Sequence, residues 1–254
     1  MSSSVSLSSV VSFLDETFQT HQIEDFPNAC NGLQLENNGQ VSRVVGAVDA
    51  NVHAIDAAIK QKADLLCVHH GLMWRGLQPL TGSLYNLYRR AIRSNLAVYS
   101  LHLPLDGHPI YGHDALIAKA LGVVTEGSFI HHKGQSLGCI CNGINIDELS
   151  RRLKALFPRS YRSFCYGSEQ PQRMAIMSGS GGTECLNALV ASEIDTFVTG
   201  EIHYSAVSFA QLYRLNVFAC GHYATECFGV KTLLQLIHEK TKLPCEFIED
   251  FCEL

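Results

Sequence analysis

The sequence predicts an α/β fold, and three observations carry that expectation. Short apolar, β-branched runs alternate with helix-period stretches from residue 41 onward. The 254 residues are 46% hydrophobic and only 17% charged, enough apolar chain for a sizeable core and too much for a disordered one. The runs at 44–48 and 64–68, with a helical stretch at 51–62 between them, form a βαβ pattern. That pattern implies parallel strands with helices on the faces of the sheet.

The elements follow in order. Val10, Val11, Leu14 and Phe18 recur at helical spacing and predict an amphipathic first helix. The Ser-rich start has no basic stretch and contains Asp15 and Glu16, so it does not read as a signal peptide. After the βαβ unit, residues 84–94 predict a helix, 96–101 a strand and 115–121 a helix closed by Gly122. Residues 122–134 break the pattern with Gly127, His131, His132 and Gly134, and are expected to be a turn-rich boundary. Beyond it come a strand at 137–141 and a helix at 146–156, with Asp147 and Glu148 in its first turn. Strands at 161–166 and 174–178, a helix at 184–192, a strand at 196–199 and a helix at 205–214 continue the series. A strand at 217–220, a long helix at 225–240 and a closing strand at 245–248 end it. Two α/β subdomains joined near residue 126 are expected: residues 1–126 with 221–254, and an inserted 127–220.

Composition excludes several classes of function. The formal charge is -5 and the 19 Lys and Arg are scattered, which argues against a protein that coats duplex nucleic acid. No run of eighteen apolar residues exists, so no membrane span is expected. Ten cysteines are too sparse for a disulfide scaffold, and reduced thiols in a cytoplasmic protein are the expectation.

Three motifs follow predicted strands. Cys67-Val68-His69-His70-Gly71 ends the run at 64–68, at the sheet edge where α/β proteins bind ligands. Neighbouring residues of an extended chain point to opposite sides, so His69 and His70 suit one ion poorly but can each serve a different ion of a pair; equally, one reads as a hydrogen-bonded core residue and the other as solvated. Leu101-His102-Leu103-Pro104-Leu105-Asp106 places an imidazole and a carboxylate after the next strand, with Pro104 stiffening the exit. Asp106-Gly107 is equally a common turn pair. In Gly221-His222-Tyr223-Ala224-Thr225-Glu226, His222 and Glu226 stand four apart at a helix start and share one face. A carboxylate in a first helical turn also suits the macrodipole, which accounts for Glu226 but not for His222. If all three strand ends lie in one parallel sheet, three histidines and two carboxylates converge, a donor set for a dinuclear Zn, Mn or Fe centre.

Other motifs are weaker. Cys67, Cys220 and Cys227 near these histidines suggest sulfur ligation, but no Cys-x-x-Cys pair is present and thiols inside apolar strands usually act as small hydrophobes. Cys139 and Cys141 alternate on one strand face and read as core. Ser178-Gly179-Ser180-Gly181-Gly182-Thr183 joins a strand to a helix and reads either as an anion cradle or as a tight turn. Glu201 and His203 follow another strand and either lean into the site or face solvent.

Val68-His69-His70-Gly71-Leu72-Met73-Trp74-Arg75-Gly76 resembles the signature of the NIF-three-like (NGG-one-interacting-factor-three-like) proteins, the GTP cyclohydrolase 1 type 2 homologue family. The resemblance extends to Asn31-Gly32-Leu33-Gln34, 100–106, 177–182, Thr199-Gly200-Glu201 and 221–226, in the family's order. It departs at Gly112-His113-Asp114, where many relatives resemble Gly-Asn-Asn. The resemblance implies two interlocked α/β subdomains with mixed or parallel sheets and flanking helices. It implies two divalent metal ions per chain, with His69 and His222 on one, His70 and Asp106 on the other and Glu226 bridging them. The 1–126 plus 221–254 subdomain would then be the metal-binding one. Glu226 and His102 are assigned the catalytic roles, His102 as a neighbour of the ligands. A homo-oligomer, a ring-shaped hexamer, is also implied.

The function expected is a metal-dependent hydrolase that activates water, with a nucleotide or other small molecule as substrate. The alternative is a non-enzymatic metal-binding scaffold, or a metal-delivery or regulatory protein. Binding to nucleic acid is not expected from the acidic balance, unless a ring of subunits exposes a basic inner surface.

Overall fold

Strands buried on both faces cannot alternate polar and apolar residues, and the runs at 44–49 and 65–70 are accordingly almost wholly buried. They lie near the middle of one of three sheets in the computed structural model, which describes residues 4–74, 76, 78–132 and 134–251. The Ser-rich start at residues 1–3 falls outside the described residues, as does Arg75.

The chain opens with β1 (Val5–Ser6) and α1 (Leu7–Phe18), whose N-cap Ser6 side chain accepts a hydrogen bond from the backbone N–H of Ser9. Leu7, Val10, Leu14 and Phe18 form its buried stripe, as their spacing predicts. Next come β2 (Gly32–Leu35), β3 (Gln40–Val41), β4 (Val44–Asp49), α2 (Val52–Lys60), β5 (Leu65–His70), α3 (Gly82–Arg93), β6 (Ala97–Ser100) and the short α4 (Leu103–Asp106). The remaining elements are α5 (His113–Leu121), β7 (Thr125–His132), β8 (Gln135–Asn142), α6 (Ile146–Leu156), β9 (Arg162–Cys165), β10 (Arg173–Ser180) and α7 (Thr183–Ala191). Then come β11 (Thr196–Glu201), α8 (Ala206–Tyr213), β12 (Asn216–Ala219), α9 (His222–Thr241) and β13 (Cys245–Phe247).

The chain divides into two compact units. The first holds the residues up to Leu105 and Gly229–Asp250. Its five-stranded sheet has the order β13-β4-β5-β6-β2, in which β13, β4, β5 and β6 run parallel and β2 is antiparallel. On this sheet α2 packs Ala54, Ile55 and Ala58 with Val45, Leu66, Val68 and Val98 into one core. Gly46 on β4 makes room for helix α9: a Cβ there would lie 2.8 Å from Leu234.

The second unit holds Asp106–Phe228 and the residues from Phe251 on. Its six-stranded sheet is mixed, with the order β7-β8-β10-β11-β12-β9. Only β10, β11 and β12 run parallel. Cys139 and Cys141 are buried in its core beside Leu149, Leu153 and Phe218, as their alternation predicts. The stretch at 122–134 departs from expectation: it contains β7, an edge strand paired only with β8. An edge strand draws its order from backbone hydrogen bonds on one side and leaves most side chains in solvent, so no apolar pattern announces it.

Among the described residues no helix is long and apolar enough to cross a membrane, and the cysteines are free thiols.

Candidate metal site

In the first unit, parallel pairing brings the ends of β5 and β6 side by side, with Val68 opposite Ser100. His69 is fully buried and its Nδ1 lies 2.9 Å from the carbonyl oxygen of Leu101, one residue beyond β6. His70 Nδ1 lies 2.9 Å from Asp49 Oδ1 at the end of β4. His102 Nδ1 lies 2.9 Å from Asp25 Oδ1. A carbonyl or carboxylate at Nδ1 selects the tautomer protonated there, which leaves the lone pair on Nε2. One ligand nitrogen from each of His69, His70 and His102 lies within 4.8 Å of the others. Three neutral imidazoles so arranged form a donor set for a borderline divalent cation. The adjacent rings of His69 and His70 do not diverge as an extended strand would require; their centroids are 4.5 Å apart.

A further layer of hydrogen bonds fixes this cluster. Asp25 also accepts from Asn31 Nδ2 (2.7 Å) and from the backbone N–H groups of Phe26 (2.6 Å) and Leu103 (3.0 Å). Burial alone would raise Asp25, but the His102 hydrogen bond and charge, with the other donors, bring its carboxyl down to about 2. Asn31 Oδ1 accepts from the backbone N–H of His102 at 2.7 Å. Gln34 Oε1 accepts from the N–H groups of Leu72 (2.7 Å) and Met73 (3.2 Å), pinning the chain just past His70. A Cβ on Gly71 would lie 2.3 Å from Gln34 Nε2, so any side chain there would displace the Gln34 amide. Trp74 stands nearly perpendicular to His102, with ring centroids 4.6 Å apart.

In the second unit, His222 and Glu226 share a face of α9, with Nε2 and Oε1 3.0 Å apart. Glu201, at the end of β11, meets His222 Nδ1 at 3.1 Å, so Glu201 leans into the site while His203 is exposed and bonds Ser205. Burial disfavours a charged imidazole there, but the Glu226 and Glu201 carboxylates outweigh it and raise His222 to about 9. Gly179 and Gly200 serve this pair by close approach. Gly179 has φ +62, and a Cβ on it would lie 2.5 Å from Glu226 Oε1. Its N–H donates to Thr225 Oγ1 at 3.1 Å. A Cβ on Gly200 would lie 2.6 Å from the same threonine oxygen.

Asp106 sits at the end of α4, 3.8 Å from Nε2 of the fully buried His113. Asp114, next to His113, accepts from the N–H groups of Ser178 (2.6 Å) and Gly138 (3.0 Å). Pro104 falls inside α4, in the first turn of a helix, where its missing N–H costs nothing.

One expectation is corrected. The three strand ends do not share one parallel sheet: β5 and β6 belong to the five-stranded sheet, whereas β12, which precedes His222, pairs with β11 and β9 in the six-stranded one. Short apolar strands give no sequence signal for which sheet they join. Sequence reasoning missed Asp25 and Asp49. Asp49 carried the strand-end signal used for the histidines; Asp25 lies in an irregular loop with none.

Fold and site together define a mixed α/β protein whose clustered histidines and carboxylates can hold a divalent metal. The chain belongs to the Duf34/NIF3 (NGG1p interacting factor 3) family, whose pattern matches residues 5–251. It is 34% identical over 245 residues to a GTP cyclohydrolase 1 type 2 homolog of Archaeoglobus fulgidus, covering 96% of this chain and 98% of that one. Among solved structures it is similar to protein ybgI, described as of unknown function, with a TM-score of 0.89 at 29% identity over 98% of this chain and 100% of the other. Protein TTHA1606 from Thermus thermophilus gives a TM-score of 0.85 at 29% identity, with the same coverage.

Proposed function

We propose that this chain is a metal-dependent hydrolase in which His69, His70, Asp106, His222 and Glu226 hold two divalent ions. As the family resemblance implies, His69 and His222 would hold one ion, His70 and Asp106 the other, and Glu226 would serve both. The observation that carries the reading is that His69, His70 and His102, clustered within ligand distance of one another, are each engaged at Nδ1 by an oxygen acceptor. Imidazoles that bind metals are oriented in this way. Two divalent ions would lower the pKa of a water and orient it for attack on carbon or phosphorus.

The chain's own residues supply the rest. Asp25 holds His102 in one tautomer and stabilises the imidazolium formed when Nε2 takes up a proton, so His102 acts as the general base and acid. Glu201 orients His222 through Nδ1, and Asp49 orients His70. The relatives' name makes a nucleotide the first substrate to try.

The test is hydrolysis of a panel of nucleotides and phosphoesters by chelated protein reconstituted with Zn, Mn or Fe(II). Activity should require metal, vanish in Glu226→Ala, and fall in His102→Ala with metal content retained. Activity that survives chelation or Glu226→Ala would contradict the proposal. A reconstituted protein inactive on every substrate, but exchanging its metal within seconds, would point instead to metal delivery.

A further inference from the structure

Helices α2 and α3 return the chain between the parallel strands β4, β5 and β6, so their second halves lie toward the sheet edge opposite His69 and His70. A cavity of about 460 Å³ opens there, in the first unit. Asn86, Arg89, Arg90 and Arg93 line it from α3, and Asp56 lines it from α2. The four α3 residues have the i, i+3, i+4, i+7 spacing of a single helix face. Tyr88 and Ala91 are the buried residues of this helix, so the arginine face is left over from packing. Such a face ordinarily mixes signs, with carboxylates four residues from the cations. Here α3 carries three arginines and no acidic residue, and Arg89 and Arg93, four apart, repel each other. The helix dipole favours Arg90 and Arg93 in the last turn and leaves Arg89 unexplained. Asp56 is the one carboxylate among the described lining residues, and Arg90 Nη1 takes both its oxygens, at 2.8 and 2.7 Å. Arg89 and Arg93 have no carboxylate partner among the described residues. The side chains of Asn86 and of Ser94, at the end of the groove, make no hydrogen bond among the described residues and are free to donate. Lys60 on α2 is a further cation, and the divalent ions proposed for the metal centre have the same sign, so neither opposes an anion here. Guanidinium forks match the oxygens of a phosphate, and two uncompensated charges suit a group with at least two negative charges. The volume suits a small molecule rather than a nucleic acid strand or a peptide.

We infer that the groove between α2 and α3 is a binding site for a small phosphorylated ligand, a pyrophosphate group either free or carried by a nucleotide. Arg89 and Arg93 grip it, and Arg90, Asn86 and Ser94 complete the donor set. The inference goes beyond the hydrolase reading and does not depend on it.

The test is a calorimetric titration of the metal-loaded protein with pyrophosphate, with metal content measured on the same samples. One saturable site per chain is expected, weakened by added salt because the arginines are exposed. Arg89→Gln with Arg93→Gln should weaken it by roughly tenfold or more at unchanged metal content. Asn86→Asp, which barely alters the shape of the side chain, should weaken it as well by placing a carboxylate in the face. Lys240→Gln with Lys242→Gln removes the same charge from exposed positions elsewhere in the unit and should leave binding within about twofold. His69→Ala, in which metal is lost, should still bind pyrophosphate, since the arginine groove stands apart from the histidines. Absence of a saturable site, or equal losses in the arginine and lysine variants, overturns the inference. So does binding lost in His69→Ala but kept in the arginine variant, which would put the phosphate on the metal. An acidic peptide or a single-stranded oligonucleotide that binds more tightly than pyrophosphate would overturn the ligand class. A parent protein that takes up no metal yet binds pyrophosphate through these arginines would sink the hydrolase reading and support this one.

Discussion

The histidines at the end of β5 and the His–Glu pair at the start of α9 are positioned by opposite means. In this cluster at the ends of β5 and β6 each imidazole is anchored from behind by an added group: Leu101 O for His69, Asp49 for His70 and Asp25 for His102. The anchors come from 21 to 77 residues away in sequence. At α9 the spacing of four on one helix already makes the pair, and the rest of the unit contributes by removing side chains: Gly179 and Gly200 let the neighbouring backbone close on Glu226 and Thr225. One region is built by hydrogen bonds supplied, the other by Cβ atoms withheld. Deleting acceptors should break the first, and adding methyl groups should break the second.

The largest effect is expected from the ligands themselves. His69→Ala or His70→Ala should weaken metal binding by about 100-fold or more, read by competition with a chromophoric chelator. Asp25→Asn should follow, lowering hydrolysis by roughly 10–100-fold with metal content retained, because the orientation of His102 is lost. Asp49→Asn should cost less, since Asp49 is half exposed and water can replace it. Equal losses from the two would contradict the claim that burial of the anchor matters.

Gly179→Ala sharpens the contrast for the second region. Its backbone sits at φ +62 and its new Cβ would meet Glu226 Oε1, so about 1–2 kcal/mol of stability should go to the backbone alone and metal binding should fall as Glu226 is displaced. Gly39→Ala is the matched control, at φ +86 with nothing within 4 Å, and should destabilise without touching metal binding. If both variants bind metal normally, close approach at Gly179 has no bearing on the site.

The smallest effect concerns pH. Burial pushes the Asp114 carboxyl up to about 7, against the N–H donors of Ser178 and Gly138. A carboxyl that holds its proton more tightly when folded contributes most to stability below its unfolded value of 3.8, and that contribution is lost as pH rises toward 7. In chelated protein, the stability of Asp114→Asn relative to the parent should therefore increase from pH 4 to 7 and level off above. A difference that stays flat would mean Asp114 is ionised throughout.

Much of this architecture was legible in the sequence, for a physical reason. Strands β4, β5 and β6 are buried on both faces, so their apolar runs are continuous, and the intervening helices show one apolar stripe. The edge strands β2 and β7 escaped notice because backbone pairing on one side holds them and their side chains carry no such pattern. The candidate ligands were legible because strand ends and the four-residue helical spacing are local features. Asp25, Asp49 and Gln34 act across loops from distant positions, and a single sequence carries no signal of that pairing. The glycines at 179 and 200 were visible, but their reason was not: it lies in how closely β10 and β11 approach the first turn of α9.

The most direct test of the central claim is metal content per chain by elemental mass spectrometry, on protein purified without a metal-affinity step. His69→Ala and Glu226→Ala would be measured alongside. The account predicts two divalent ions per chain in the parent and loss of metal in both variants, as the proposed ligand set requires. No metal in the parent, or a single ion untouched by both substitutions, would contradict it.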